Sequence, residues 1–326
     1  MPILTIAEER WPIAGSFTIS RGAKTEAHVV TVTLTDGAYM GHGECVPYPR
    51  YGETVPQVVA ALEAARGLIE MGISRNDIPA LLAPYAARNA LDCAMWDLES
   101  NRAGKPVWQL AKLPKPKPIV TAYTLSLDTP EAMGEAAAKA AHRPLLKLKL
   151  GREGDIERLR QVRRNAPKSR LIVDANEGWT PDNIKQMLSA CADVDVDFVE
   201  QPLPAGQDEA LRHIKRAVTV CADESAHGID TLGDLAGKYD AINIKLDKTG
   251  GLTPAIALAR AAWDRNLAIM VGCMLATSLA MAPAMLLTPF AEVVDLDGPL
   301  LLKKDREPGI FYDGSIIHPP PSNLWG

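Results

Sequence analysis

Between residues 116 and 300 short apolar runs recur at a regular spacing, separated by stretches whose apolar residues fall at helical intervals. The runs are VTAYTLSL at 120–127, LLKLKLG at 145–151, RLIVDANE at 170–177, DFVEQPL at 197–203, TVCADES at 219–225, AINIKLD at 241–247, LAIMVGCM at 267–274 and AEVVDLDG at 291–298. Near-continuous apolar runs of this length read as parallel strands covered on both sides. Segments such as DIERLRQVRRNAP, DEALRHIKRAV and TPAIALARAAWDRN read as the amphipathic helices between them. Eight strands with seven helical segments predict a (β/α)7β-type modified TIM barrel. A doubly wound open sheet is the alternative, but no Gly-rich phosphate loop follows the first strand.

The pattern before residue 116 is different. Two alternating runs, 27–37 and 37–46, flank Asp36-Gly37 and predict a hairpin. Residues 55–70 and 85–104 read as helices, the second closed by Gly104. The proline-rich stretch LPKPKPIV at 113–120 marks a boundary. An α+β capping domain over 1–115 therefore precedes the barrel of 116–300. The tail, GIFYDGSIIHPPP, reads as two short strands around Asp313-Gly314, so that 301–326 returns to complete the cap.

Composition narrows the class. The chain has 326 residues, 47% hydrophobic and 23% charged, the profile of an ordinary globular protein. A net charge of −5 without a basic run argues against nucleic acid or an anionic membrane as partner. No segment carries about 18 uninterrupted apolar residues, and the acidic pair in MPILTIAEERWP interrupts what a secretory signal would continue, so a cytoplasmic location is expected. Cys45, Cys93, Cys191, Cys221 and Cys273 form no C-x-x-C pair, which fits reduced thiols better than disulfides or zinc. Nothing in the pattern fixes oligomeric state; a homo-oligomer is compatible with it.

The chemistry gathers where predicted strands end. LLKLKLG carries two lysines inside an apolar run, and in a strand Lys147 and Lys149 project to one side while Leu146, Leu148 and Leu150 face the other. An edge strand with a solvated face is the plain reading. In a barrel, however, the active site lies at the C-terminal strand ends, and these supply Lys149, Asp174 with Asn176, Glu200, Asp223, Lys245, then Asp295 with Asp297. The gaps from Lys149 to Lys245 are 25, 26, 23 and 22 residues, one strand–helix unit each. Three converging carboxylates, Asp174, Glu200 and Asp223, would repel one another without a cation, and an all-oxygen set suits Mg2+ first and Mn2+ second. Helix capping is the rival reading of any one of them. Lys245 shares the parity of Asn243 and Asp247 across the barrel from Lys149, and Lys248 is its rival near the mouth. A cation that holds a substrate carboxylate acidifies the α-proton, and two opposed lysines could remove and return it, with Lys147 lowering its neighbour's affinity for protons.

KLKLG, VDANEGW, VEQPLP, ADES and NIKLDKTGG, in this order, resemble the enolase superfamily in its muconate-lactonizing-enzyme subgroup. With GHGECVPYPRYGE, ARNALDCAMWDL, VGCMLATS and DLDGP the resemblance covers most of the chain and extends to the L-Ala-D/L-Glu dipeptide epimerases. It implies one Mg2+ per chain on Asp174, Glu200 and Asp223, Lys149 and Lys245 as acid/bases, and Lys147 as the group polarising the substrate carboxylate. It further implies that Asp295 and Asp297 bind the ammonium of a dipeptide, and that the reaction serves recycling of murein peptides. For the distal carboxylate of a glutamyl residue, the first-domain loop FTISRGAKTEA offers Arg21 and Lys24, with Arg50 in YPRYGE a rival. EGW and YPRYG bring aromatic side chains that a cap could use to exclude water. N-acylamino acid racemisation, o-succinylbenzoate synthesis and cycloisomerisation remain as alternatives, none with an evident need for the acid pair. Relatives that use a histidine on the seventh strand are disfavoured, since AIMVGCM has none. A non-catalytic binding barrel is the alternative of another class.

Overall fold

A computed structural model describes residues 1–326. A three-stranded antiparallel sheet opens the chain, with β1 at Ile3–Ile19, β2 at Gly22–Asp36 and β3 at Tyr39–Cys45. The helices Val55–Glu70 and Ala86–Ala103 pack on it. The first is started by a capping box between Thr54 and Gln57, and the second ends on Gly104 in the left-handed conformation, as its sequence suggests. GHGEC is glycine-rich for a steric reason: a Cβ at Gly41 or Gly43 would strike the carbonyls of Ala94 and Ala90 on the second helix. The stretch 17–27, read from sequence as a loop, is instead the tip of the β1–β2 hairpin, with Phe17 opposite Lys24 and Ile19 opposite Gly22.

Eight parallel strands form the barrel. They are β5 (Tyr123–Leu125), β6 (Leu145–Lys149), β7 (Arg170–Asp174), β8 (Val196–Glu200), β9 (Thr219–Ala222), β10 (Ala241–Ile244), β11 (Ala268–Gly272) and β12 (Val293–Asp295). The Ala122 amide donates to the Val294 carbonyl at 2.8 Å and joins the two ends of the sheet. One residue from or beside each stave plugs the interior: Ala122, Leu145, Ile172, Phe198, Cys221, Ala241, Met270 and Val293. Stepping two residues along β6 from Leu145 reaches Lys147 and then Lys149, so both lysines point inward above an apolar floor. Leu146 and Leu148 face the surrounding helices. One expected helix is shorter than the pattern implied. Residues 208–218 hold only a 3-10 turn at Glu209–His213, and Asp208 turns its carboxylate to Lys238, Tyr239 and Ser225 instead of capping a helix. Asp247 also departs from strand parity, because the chain turns helical at Leu246–Thr249.

The tail strands β13 (Tyr312–Asp313) and β14 (Ile316–Ile317) pair with each other, and β14 pairs with β4 (Ile119–Val120), just before the barrel. The tail meets the cap on either side of these strands. The Lys303 amide donates to the Pro12 carbonyl at 2.8 Å and Arg306 to Glu9 at 2.6 Å and Glu44 at 2.8 Å. At the end of the chain Trp325 Nε1 donates to the Cys93 carbonyl at 3.1 Å and the Gly326 amide to Asp97 at 2.7 Å. No helix is long and apolar enough to cross a membrane.

Candidate active site

At the C-terminal ends of the strands, Lys149 and Lys245 line a cavity of about 930 Å³ whose outer wall comes from the cap: Phe17, Ile19, Arg21, Lys24, Tyr48 and Tyr51. β6 and β10 stand four staves apart in an eight-stave ring, so the two lysines face each other across it. Lys149 Nζ donates to Asp174 Oδ2 at 2.6 Å and Lys245 Nζ to Asp223 Oδ2 at 2.6 Å. Lys147 is deeper, 1% exposed, and lies 2.6 Å from both Glu200 Oε2 and Asp295 Oδ2 and 3.6 Å from Asp174 Oδ2. Lys248 is not a free base: its Nζ donates to the Asp223 carbonyl and Oδ1, each at 2.6 Å, and to the Asn243 carbonyl at 2.8 Å.

Asp174, Glu200 and Asp223 are at most 2% exposed. They do not close on a common point as they stand, because lysine ammonium groups lie between them. Burial alone would raise each acid. The Lys149, Lys147 and Lys245 charges overcome it at Asp174 and hold that carboxyl at about 2, while Lys245 and Lys248 hold Asp223 well below the usual range. Glu200 is pushed up by burial and by Asp174. Burial acts to lower Lys147, yet Asp295, Glu200 and Asp174 raise it well above an ordinary lysine, so it enters the site as a fixed cation rather than half of a like-charged pair. Lys245 is raised likewise, against burial, by Asp223 and Glu200. The donor set fits a divalent cation: all ligand atoms are carboxylate oxygens, they come from consecutive strand ends, and buried Glu200 Oε2 has no hydrogen-bond donor of acceptable geometry. Asn176 supports the set from outside, its backbone amide 2.8 Å from Asp174 Oδ1 and its side-chain amide 3.1 Å from Oδ2.

The remaining expected residues divide. Asp295 is spent on Lys147 with its Oδ1 unpartnered, and Asp297 accepts the Thr124 amide at 2.6 Å while burial and Asp295 push it up to about 7. Arg21 is fully engaged: it donates to Glu224 at 2.7 Å, the Asn176 carbonyl at 3.0 Å, Glu177 at 3.1 Å and Tyr48 at 3.1 Å. Arg50 clamps Glu177 with two bonds of 2.7 Å. Lys24 has no acidic partner and lies 5.3 Å over the Tyr48 ring. Trp179 of EGW is buried in the barrel wall, donating to Asp155 at 2.9 Å, and does not cover the site. Tyr51 does, stacked on Tyr85 at 5.3 Å and edge-on to His227. Glu177, Glu224 and Gln201 escaped the sequence reading; each directly follows or lies three residues beyond a strand-end acid, and adjacency was the available signal.

A parallel barrel capped by an α+β domain, with opposed lysines over buried acids, defines a cap-and-barrel protein of the enolase type. Residues 132–321 match the enolase C-terminal domain-like family and residues 2–111 the mandelate racemase / muconate lactonizing enzyme N-terminal domain. The L-Ala-D/L-Glu epimerase of Escherichia coli (strain K12) is 41% identical over 320 residues, 98% of this chain and 100% of that protein. The N-acetyl-D-glutamate racemase of a Pseudoalteromonas species is 43% identical over 304 residues, 91% of this chain and 95% of its own. An enolase family member from Agrobacterium tumefaciens with homology to dipeptide epimerases, crystallised with sodium and L-Ala-L-Glu, superposes with a TM-score of 0.98 at 50% identity over 100% of both chains. The dipeptide epimerase of Cytophaga hutchinsonii, complexed with Mg and D-Ala-L-Val, gives 0.90 at 28% identity over 98% of this chain and 93% of that one. The chain belongs to the mandelate racemase / muconate lactonizing enzyme family of the enolase superfamily.

Proposed function

We propose that the protein is an isomerase that epimerises L-Ala-D/L-Glu and related dipeptides at the α-carbon of the C-terminal residue. The observation that carries this is the pair of cavity-lining lysines, Lys149 and Lys245, on opposite staves of the barrel. A base on each face of one carbon is what inversion of that carbon needs. Mg2+ bound by Asp174, Glu200 and Asp223 would draw charge from the substrate carboxylate and make the α-proton removable. Lys147 holds a fixed positive charge beside that carboxylate. For Lys149 and Lys245 to act as bases they must leave Asp174 and Asp223, which a competing cation on those acids favours. One lysine then takes the α-proton and the other returns a proton to the opposite face.

Lys24 is the better candidate for the distal carboxylate of a glutamyl residue. It borders the cavity with no acid of its own, whereas a substrate reaching Arg21 would have to displace Glu224 and Glu177. Asp295 and Asp297 would receive the dipeptide ammonium. One observation favours a second reading, racemisation of an N-acylated glutamate: Asp295 is already neutralised by Lys147, and neither acid lines the cavity. Proton NMR in heavy water with Mg2+ separates the readings. Loss of the Glu α-proton of L-Ala-L-Glu with appearance of L-Ala-D-Glu supports the first. Exchange confined to N-acetylglutamate supports the second, and no exchange from either removes both.

A further inference from the structure

We infer that Gln201 is the positioning residue that holds the three cation-ligand strand ends in register. The inference rests on the reading of Asp174, Glu200 and Asp223 as ligands. Gln201 directly follows Glu200, is 0% exposed, and has a φ of 33°, a left-handed conformation with no intrinsic appeal to glutamine. Its own backbone ties two neighbours: the Gln201 amide donates to the Cys221 carbonyl at 2.9 Å, and its carbonyl accepts the Glu177 amide at 2.9 Å. Its side chain holds the end of β9 a second time, beyond the last strand residue. Oε1 accepts the Asp223 amide at 2.8 Å and the Ser225 amide at 3.0 Å.

Those two amides lie just past the end of β9 at Ala222, where the strand ladder has stopped, and buried backbone donors need partners. The orientation of the glutamine amide is dictated, since backbone N–H groups only donate and so must face Oε1. Nε2 then points to the Leu203 carbonyl at 2.8 Å, Ser225 Oγ at 2.9 Å and Tyr239 OH at 2.9 Å. Both hydroxyls give their own protons to Asp208, at 2.8 and 2.7 Å, and Lys238 fixes Asp208 from the far side at 2.7 Å. An apolar residue could fill the volume but not this set of directions. The direction of the Asp223 carboxylate follows from its backbone, and Gln201 Oε1 holds that backbone.

The test is Mn2+ binding to the purified full chain, read from the EPR signal of free Mn2+, with thermal unfolding followed in parallel. Outer-shell partners of ligands typically change metal affinity by 10–100-fold, so Gln201→Met should weaken Mn2+ by at least about tenfold. Saturating Mn2+ should then restore most of kcat, a split that loss of packing alone would not produce. An affinity within about twofold of wild type in a folded Gln201→Met protein overturns the inference. Should that variant not fold, the double variant Ser225→Ala, Tyr239→Phe releases Nε2 while leaving the Asp223 contact in place. It should weaken Mn2+ by roughly threefold, and an unchanged affinity is equally fatal. A wild-type protein that takes up no Mn2+ overturns the ligand reading itself, and this inference with it.

Discussion

At the scale of single residues, the lysines were legible because a strand's period of two leaves them no alternative. Leu146 and Leu148 must face the helices, so Lys147 and Lys149 face the axis. Lys149→Ala should cost at least about a hundredfold in α-proton exchange from one epimer of the C-terminal residue while leaving some from the other. Lys245→Ala should show the reverse, and two variants with full epimerisation would remove the two-base mechanism. Which cation meets the substrate's distal carboxylate was not legible, since it depends on which carboxylates each cation already holds. Those of Arg21 come from Glu177 and Glu224, more than 150 positions away in the chain. A charge-assisted bond to Lys24 implies that Lys24→Ala raises KM for L-Ala-L-Glu roughly ten- to a hundredfold and spares dipeptides with an apolar C-terminal residue. Steady-state kinetics on both substrates checks it; equal losses on both would transfer the role elsewhere.

At the scale of elements, the barrel strands announced themselves, whereas β1 did not. Its residues Glu8, Glu9 and Arg10 sit on an edge strand with a largely exposed face, Pro12 interrupts the alternation, and the register shifts between Pro12 and Phe17. Such a strand has the polarity of a loop, so the hairpin tip over the cavity was hidden from a pattern reading. The turn after β10 carries a second unread feature. Asp247 leaves strand parity to accept the Val46 amide at 3.0 Å and Asn89 Nδ2 at 2.9 Å, both on the cap. Burial, against those two bonds, pushes its carboxyl from 3.8 up to about 7. A raised folded-state pKa means the folded protein binds the proton more tightly than the unfolded chain. The stabilisation is therefore complete below the unfolded value near 4 and is lost as the pH rises through about 7. Asp247→Asn keeps the acceptor oxygen without the charge. It should raise Tm at pH 8, change it little at pH 4, and flatten the profile between them; a Tm lowered equally at both would mean the charge is not what matters.

Across the whole molecule, cap and barrel are joined by two kinds of contact that differ in depth. Glu44 receives the Thr277 amide at 2.8 Å and hydroxyl at 2.5 Å, Asp92 binds Thr253 at 2.6 Å, and Asn89 meets Asp247, all in buried or partly buried positions. These fix the body of the cap on the barrel. The parts that overhang the cavity, the hairpin tip at Arg21 and the turn at Arg50, share ion pairs to Glu177, at 3.1 and 2.7 Å, and Arg21 has a further pair to Glu224 at 2.7 Å. Lys149 and Lys245 are each only 7% exposed, so a substrate must pass these overhanging parts to reach them. Parting the Glu177 pairs costs little, because exposed or half-exposed ion pairs are worth about 0.2–1 kcal/mol each, whereas rocking the cap would strip several buried acceptors. Entry should accordingly depend on Glu177 and not on rotation of the cap. Glu177→Gln is expected to raise KM about fivefold, leave Tm within about 2 °C of wild type, and make KM less sensitive to added salt, which already weakens these pairs in the wild-type protein. A large fall in Tm with KM unchanged would place Glu177 among the contacts that fix the cap, and would return substrate entry to a motion of the whole domain.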